Sequence, residues 1–416
     1  MASSNLKPIV LAVGVLIGSY LVYRNVTKSP KKLFLNEDPK KVVRIKLSSG
    51  DASMNEFPGI STITYYSGKA PLEYLQQRTI EVIKQNPWLS SRLVSTNSGL
   101  EAVYVLDKFE GYFTTVQIPS LKNGLSFAET SKLLQDFQVK KGKECINVDE
   151  PLFRVTVVTT NQEDEFMVVF SISHTLADGF TFYSIYSMFE KDPYPMVFER
   201  VQSFEKEMVE TLGNQFINFL MSPGFIFGIL RNVLFTKPTP IISKPIDKVM
   251  VEKFKNEFKV GADSTTDFIS TNDIITSSMM DVTDSAFLMM ALNLRNRVPS
   301  VSSMHAGNYE GSLILKKPCS PKQIRSTLKT LKVTEFPTFW DAFSGKSLVV
   351  SNWTTFHHNL VLPGNLTPIN HHPIGRDSVN LVRTTAIIYK SNANQLNVLY
   401  GNVHPHELKS DLNLFL

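Results

Sequence analysis

The chain has 416 residues, 43% of them hydrophobic and 19% charged, with a formal net charge of +5. This composition excludes global disorder, and the length fits two or three units of ordinary domain size. Two cysteines, Cys145 and Cys319, exclude a disulfide framework and a cysteine-based metal site. The sequence has no aromatic-interleaved basic stripe, RNA motif or zinc-finger spacing, so it does not indicate a nucleic-acid partner.

The first predicted element is an uncharged apolar segment, Ile9 to Tyr23, which is near the lower length limit for a bilayer span. We predict an uncleaved single-pass membrane anchor. A cleaved signal peptide is the alternative, but only Lys7 precedes the segment and no clean cleavage site follows it. The segment is followed by a basic cluster: Arg24, Lys28, Lys31, Lys32, Lys40, Lys41, Arg44 and Lys46. This charge asymmetry predicts a cytosolic domain, and we assign the endoplasmic reticulum as the default host membrane.

The next segments alternate between helical and strand patterns. Apolar residues at helical spacing predict a helix over Leu72 to Gln85, which ends before Pro87. A short strand is predicted at Ala102 to Leu106. The β-rich runs Phe153 to Thr160 and Phe166 to Ser173 are separated by five polar residues and predict an antiparallel hairpin. A helix is then expected from Phe180 to about Phe189.

The stretch from Phe204 to Phe235 is apolar and is followed by a proline-rich segment. It is either a crossover linker with a hydrophobic helix or a membrane-dipping hairpin broken at Pro223-Gly224. Arg231 interrupts the apolar run, so we favour burial or interfacial contact of residues 216–235 over a second full span.

The second half of the chain repeats this mixed α/β character. We predict a helix from Asp273 to Leu294 and strands at Leu313 to Leu315, Ser347 to Ser351, Leu381 to Tyr389 and Leu396 to Tyr400. The predicted organisation is an anchor with its basic flank (1–34), a first half (35–203), a crossover (204–245) and a second half (246–416).

The stretch with the clearest chemistry is Ser173-His174-Thr175-Leu176-Ala177-Asp178-Gly179, which follows a predicted strand and precedes a predicted helix. A histidine on such a loop faces a cleft and is a competent general base near neutral pH. Asp178 lies close enough to brace the loop, and Gly179 allows a close approach. Without this context the H-x-x-x-D spacing is a weak signal, and a loop histidine followed by a helix-capping aspartate is the more common interpretation.

Val168 to Tyr186 (VVFSISHTLADGFTFYSIY) resembles the H-x-x-x-D-G motif of the chloramphenicol acetyltransferase-like superfamily. That group includes BAHD acyltransferases, wax ester synthase/diacylglycerol acyltransferases and condensation domains. Further similar segments occur in the expected order: Asn86–Leu93 (NPWLSSRL), Ser270–Asp273 (STND), Asn293–Arg297 (NLRNR), Ala306–Asn308 (AGN) and Ser351–Phe356 (SNWTTF). The chain lacks the BAHD D-F-G-W-G motif. It has one histidine where wax ester synthases and condensation domains usually have two, and so stands between these types.

The resemblance implies an α/β fold of two mixed-sheet domains with a substrate tunnel between them. It also implies acyl-CoA as co-substrate, no permanently bound cofactor, and His174 as the base that deprotonates an acceptor hydroxyl. Asp178 is expected to be structural and to pair with an arginine of the second domain, Arg295 or Arg297. Substrate contacts are expected from Gly179 and from residues of the tryptophan strand: Asn352, Trp353, and Thr354 or Thr355 as the oxyanion donor.

The remaining histidines form two pairs, His357-His358 and His371-His372, with His404 and His406 near the C-terminus. Adjacent residues on a strand point to opposite faces, so we predict no functional metal. No G-x-S-x-G elbow is present. The sequence thus predicts a monomeric, membrane-anchored O-acyltransferase acting on a lipid-like alcohol such as a fatty alcohol, sterol or diacylglycerol. The alternatives are an amide-forming N-acyltransferase or condensation-type enzyme, and a non-catalytic lipid-binding protein of the same fold.

Overall fold

The computed structural model describes residues 33–34, 37–162, 164–236, 239–260, 268–375 and 382–401. The anchor predicted at residues 9–23, and His404 and His406, lie outside the described residues. The helices are α1 (Ser49–Ser53), α2 (Leu72–Gln85), α3 (Phe127–Leu133), α4 (Gly142–Cys145), α5 (Gly179–Ser187), α6 (Phe204–Leu212), α7 (Asn214–Leu220), α8 (Pro223–Phe235), α9 (Lys248–Val260), α10 (Thr271–Val282), α11 (Pro321–Thr330) and α12 (Phe339–Phe343).

The described strands form three sheets. Their bounds are β1 (Val42–Lys46), β2 (Ile60–Ser67), β3 (Arg92–Thr96), β4 (Gly99–Val105), β5 (Phe113–Gln117), β6 (Phe153–Thr159), β7 (Glu165–Ile172), β8 (Ile242–Pro245), β9 (Phe287–Asn293), β10 (Glu310–Lys316), β11 (Ser347–Asn352), β12 (Pro368–Ile374), β13 (Thr384–Asn392) and β14 (Gln395–Gly401).

A five-stranded mixed sheet, in the order β12-β2-β7-β6-β5, forms the centre of the first half. Strands β6 and β7 pair antiparallel, with Val157 opposite Val168, as the sequence predicts. Both strands are buried on both faces over most of their length, which explains their near-continuous run of apolar residues. The apolar face of α2, with Leu75, Val82 and Ile83, belongs to the same core.

The second half contains a six-stranded mixed sheet in the order β10-β9-β11-β13-β14-β8. Sheet membership does not follow the predicted boundaries at every strand. Strand β8 comes from inside the predicted crossover, and β12, from the second half, pairs with β2 of the first sheet, with His371 opposite Thr64. The two halves are therefore joined by a shared sheet, while the boundaries at 34, 203 and 245 remain predictions.

The helix predicted over residues 273–294 is wrong in its second part. Helix α10 begins at a capping box, in which the side chains of Ser270 and Asp273 each accept a bond from the other's backbone N–H, and it ends at Val282. Asp284 then adopts a positive φ of 46°, and the chain turns into strand β9. Strand β9 lies between β10 and β11, and from Leu288 onwards its residues alternate between buried and partly exposed. The residues from Phe287 to Leu292 are all apolar, whichever face they occupy, and a short apolar run has no periodicity that separates strand from helix.

The apolar stretch at 204–235 forms three helices, α6, α7 and α8. No single described helix is long and apolar enough to cross a bilayer. Helices α7 and α8 reach that length and composition only as a pair, which is bent by 45° between Leu220 and Pro223. The break therefore comes just before Pro223, which occupies the first turn of α8, where a missing N–H costs nothing.

Candidate active site

His174 lies in the turn that joins β7 to α5. The turn is fixed by two backbone bonds, from Ser173 N to the Leu152 carbonyl at 2.7 Å and from Leu176 N to the Ser173 carbonyl at 2.9 Å. The neighbours of His174 on both sides are buried, whereas His174 itself is partly exposed. The fold thus brings one titratable ring to the surface of an otherwise buried loop.

Asn308 determines which nitrogen of His174 carries the proton. Its side-chain amide donates to the Asp51 carboxylate at 3.0 Å and to the His174 carbonyl at 2.9 Å, so the amide nitrogen must face these two acceptors. The amide oxygen of Asn308 then faces Nδ1 of His174 at 3.2 Å. This contact is a hydrogen bond only when Nδ1 is protonated, so Nε2 of the neutral ring keeps its lone pair. The arrangement prepares Nε2 to accept a proton.

Asn308 is itself held by a buried ion pair. Asp51 accepts a 2.5 Å bond from Nε of Arg200, and the two side chains are 1% and 6% exposed. Arg200 also donates to the carbonyls of Phe198 and Ala306. Gly307 has a φ of +137°, and a Cβ there would lie 2.8 Å from Arg200 Nη1, so this position requires glycine. The segment Ala306 to Asn308 is thereby fixed beside the histidine turn.

A second buried ion pair joins the two halves of the chain. Arg295 Nη1 lies 2.6 Å from the Asp178 carboxylate, and both side chains are at most 3% exposed. The carboxylate also accepts bonds from the backbone N–H groups of Tyr309 and Thr181, the latter as the N-cap of α5. Arg295 donates further to the carbonyls of His305 and Gly307 and to the hydroxyl of Thr181. Of the two predicted arginines, Arg295 contacts Asp178 and Arg297 does not.

A cavity of about 590 Å³ opens where the start of α5 meets the second sheet. It is lined by most of the residues named from the sequence: Asp178, Gly179, Arg295, Arg297, Asn352, Thr354 and Thr355. His174 is not among the lining residues. Glu310 lines the cavity and interacts electrostatically with His174, Asp178 and Arg295. Burial raises the pKa of Glu310, and the nearby Asp178 carboxylate raises it further.

Strand β11 ends at Asn352, and Trp353, Thr354 and Thr355 lie in the turn that follows it, where they differ in their availability to a ligand. Thr354 donates both its N–H and its hydroxyl to Asn352 Oδ1, at 2.9 and 2.6 Å, so this hydroxyl proton is already used. Thr355 is exposed at the cavity. Trp353 is buried, and its ring lies against Gly179, where a Cβ would come within 3.3 Å of the indole nitrogen. Gly179 therefore serves close packing on Trp353.

Of the paired histidines, His371 and His372 lie in the interior near Tyr183 and Tyr389, whereas His358 pairs with Glu190 at 2.8 Å near the surface. His371 bonds to Thr64 and Tyr183, and His372 bonds to Tyr389. Burial lowers the pKa of His357 and of His372 to about 4. Among the described residues, no group of three or more His, Cys, Asp or Glu side chains could hold a metal ion.

Sequence reasoning assigned no role to Asn308, Asp51, Arg200 or Glu310. In the sequence, Asn308 stands out only as a member of the segment Ala306–Asn308, which follows Asn293–Arg297 in the order expected from the resemblance. Asp51 and Arg200 are 149 positions apart and carry no local pattern. Their pairing depends on a tertiary contact that spacing does not reveal.

Comparison with known proteins finds similar folds among solved structures. No family model and no curated protein matches the chain. Among solved structures, Fusarium graminearum TRI101 complexed with coenzyme A and deoxynivalenol matches with a TM-score of 0.58 at 12% identity, over 88% of this chain and 96% of that one. Vinorine synthase matches with a TM-score of 0.58 at 15% identity, over 93% and 95%. The first condensation domain of the CDA synthetase matches with a TM-score of 0.53 at 10% identity, over 89% and 93%.

These three structures match along nearly their whole length and along most of this chain. Their sequence identities are so low that the matches show a shared fold and nothing more. The resemblance seen in the H-x-x-x-D-G segment is matched by the architecture. The chain has the mixed α/β fold of the chloramphenicol acetyltransferase-like acyltransferases.

Proposed function

We propose that the protein is an acyl-CoA-dependent O-acyltransferase with His174 as its general base. The observation that carries this proposal is the bond between His174 Nδ1 and Asn308 Oδ1, which leaves Nε2 unprotonated at the end of a rigid turn. Any acceptor hydroxyl that reaches Nε2 has its proton accepted as its oxygen attacks the thioester carbonyl.

In the proposed reaction, His174 passes the proton of the acceptor hydroxyl to the leaving CoA thiolate. Nε2 of His174 takes the proton from the acceptor hydroxyl while the new C–O bond forms. The resulting tetrahedral oxyanion accepts a hydrogen bond, for which the exposed hydroxyl of Thr355 is the better candidate because the Thr354 proton is already bonded to Asn352. Collapse breaks the C–S bond, and the imidazolium returns the proton to the leaving CoA thiolate. No covalent acyl-enzyme is required.

The cavity beside Asp178 is the proposed site of the acyl-CoA donor. Arg297 and Arg325 line it. Arg325 is paired with Asp273, whereas Arg297 has no ion-pair partner in the described part of the chain. Arginine recognises phosphate through its planar fork of donors. The TRI101 structure, which has a related fold, contains coenzyme A.

The proposed acceptor is an alcohol, and its lipid-like character rests on the predicted membrane anchor, which would hold a cytosolic, monomeric catalytic domain at a membrane. An amine acceptor is the second candidate, favoured by the acidic side chain of Glu310 in the cavity, whose carbonyl oxygen accepts a hydrogen bond from an amine even when the group is protonated. A non-catalytic lipid-binding role is the third.

An acceptor panel tests this proposal. Full-length protein is incubated with acetyl-, octanoyl- or palmitoyl-CoA, and thiol release is followed with short alcohols, fatty alcohols, sterols, diacylglycerol and amines. Release that depends on an alcohol supports ester formation. Release with amines alone selects the amide-forming alternative, and no release with any pair, from a folded protein, removes the enzyme proposal.

A further inference from the structure

The outer surface formed by α8 and α12 carries a dense group of exposed apolar side chains. We call it the apolar platform; its members are Phe227, Leu230, Val233, Leu234, Phe235, Phe339, Trp340 and Phe343. These eight are more than half of the fifteen large hydrophobic side chains that are exposed in the described part of the chain. Soluble monomers rarely expose a concentrated apolar patch of this kind, and such patches mark interaction surfaces.

The platform is a rigid part of the fold. Helices α8 and α12 touch backbone to backbone, because a Cβ at Gly224 would lie 2.7 Å from the Phe339 carbonyl oxygen and one at Gly228 would lie closer still to Ala342. Two further bonds, from Arg231 and Asn232 of α8 to the Ser344 and Gly345 carbonyls, each measure 3.0 Å. The rings of Phe339, Trp340 and Phe343 pack on one another, and Phe343 contacts Phe227. The apolar side chains are thus presented without prior unfolding.

The two halves of the bent helix pair differ in what they show to the outside. The exposed residues of α7 are polar, namely Asn214, Gln215 and Asn218, while its phenylalanines Phe216 and Phe219 are buried. Helix α8 instead exposes apolar side chains, and its single charged residue is Arg231. A segment that crosses a bilayer cannot leave one half polar towards lipid. A helix that lies at the bilayer surface shows one apolar face, as α8 does.

The anchor predicted from the sequence argues for a lipid bilayer as the partner of the platform. The uncharged segment 9–23 has the composition of a membrane anchor and is followed at once by a basic cluster suited to anionic headgroups. From Tyr23 to Leu33 the extended chain reaches at most about 35 Å. With the predicted anchor in a bilayer, a domain joined by so short a segment would meet the bilayer at a high effective concentration. The platform, with its tryptophan and phenylalanine rings and a single cation, has the chemistry of a bilayer-interface surface.

We propose that the apolar platform docks the domain on a lipid bilayer, with α8 and α12 lying flat in the interface and Trp340 inserted between the headgroups. Docking would fix the orientation of the domain towards the membrane, which a single N-terminal anchor alone does not do. This inference is independent of the catalytic role of His174.

Trp340 is a natural reporter for this proposal. It is 72% exposed, whereas Trp88 and Trp353, the other two tryptophans, are 2% and 8% exposed. Full-length protein is reconstituted in phosphatidylcholine/phosphatidylserine vesicles, with and without bromine on the lipid acyl chains. The difference in emission between wild type and Trp340→Phe isolates the Trp340 signal. The proposal predicts blue-shifted Trp340 emission that brominated lipid quenches and aqueous acrylamide does not.

A matched pair of charge variants, both of which keep the N-terminal segment, completes the test. Leu230→Asp with Leu234→Asp places two carboxylates on exposed positions of the platform and is expected to abolish quenching by brominated lipid. Gln215→Asp with Asn218→Asp places the same charge on the polar face of α7 and is expected to leave quenching unchanged.

Three results would overturn the proposal. Trp340 open to acrylamide and insensitive to bromine would show that the platform faces water. Protection from acrylamide without bromine quenching, lost as protein is diluted in the vesicles, would show that a second copy covers it. The same protection without dependence on dilution would show that another part of this chain covers it.

Discussion

Replacing Asp178 by alanine is expected to destabilise the protein far more than a surface substitution. Its carboxylate accepts bonds from Arg295, Tyr309 N and Thr181 N, and Arg295 is buried behind it. Removing one partner of a buried ion pair costs about 3–5 kcal/mol. Loss of the N-cap of α5 costs about 1 kcal/mol more. A total of about 4–6 kcal/mol is a large fraction of the roughly 5–15 kcal/mol that stabilises a typical domain.

A double-mutant cycle separates the cost of leaving Arg295 unpaired from the cost of losing the N-cap of α5. In Asp178→Ala with Arg295→Met, no unpaired guanidinium remains, so the double variant should be more stable than the sum of the two single changes by about 3 kcal/mol. Urea denaturation, with midpoint and slope fitted separately, gives the free energies of unfolding. The argument fails if Asp178→Ala costs less than about 1 kcal/mol or if the two changes are additive, because the structure makes them one unit.

Three other changes test the site and its surroundings. Asn308→Ala should lower kcat by about 10²-fold with little change in KM for acyl-CoA, because His174 Nε2 loses its fixed position and tautomer; steady-state kinetics measures both, and an unchanged kcat would contradict the role of Asn308. Arg297→Ala should raise KM for acyl-CoA about fivefold to tenfold if it binds a donor phosphate, whereas Lys253→Ala, on an exposed side of α9, should not; equal effects would remove Arg297 from the donor site. The free energy of unfolding should fall as pH drops from about 6.5 towards 4, because His357 and His372 are neutral in the fold, with pKa values lowered to about 4, and bind protons once unfolded. Within that window each histidine lowers the free energy of unfolding by about 1.4 kcal/mol per pH unit. In His372→Gln the free energy of unfolding should therefore fall less steeply below pH 6.5 than in wild type, while its pH dependence above pH 7 should be the same.

Much of the fold could be predicted because the relevant signals are local. Helix α2 occupies the predicted range, since amphipathic spacing and the following proline define it. The β6–β7 hairpin is visible because a polar link separates two β-branched runs. Strand β9 is missed, and a helix predicted in its place, because its buried and its partly exposed positions are both apolar up to Leu292, so the sequence shows no alternation.

In the candidate site too, the features carried by a contiguous segment could be predicted and those that depend on tertiary contacts could not. The H-x-x-x-D-G segment is contiguous, so the positions of His174 and Asp178 on a strand-to-helix turn follow from the sequence. The choice of Arg295 over Arg297 depends on which side chain turns into the interior after β9, and spacing leaves both open. Three bonds join Arg200 to Asp51, Asp51 to Asn308 and Asn308 to His174, and these four residues lie in four separate parts of the chain. They could be recognised only once the fold had brought them together.

The most direct test of the central proposal is the rate of thiol release from acyl-CoA by wild type and His174→Ala, measured in a single turnover with the acceptor that the panel selects. His174→Gln serves as a second variant that keeps a polar side chain of similar length. The proposal predicts that both variants bind acyl-CoA with unchanged affinity, unfold at the same denaturant midpoint as wild type, and release thiol about 10²–10⁴-fold more slowly. Release at the wild-type rate by a folded His174→Ala protein would contradict the assignment of His174 as the general base.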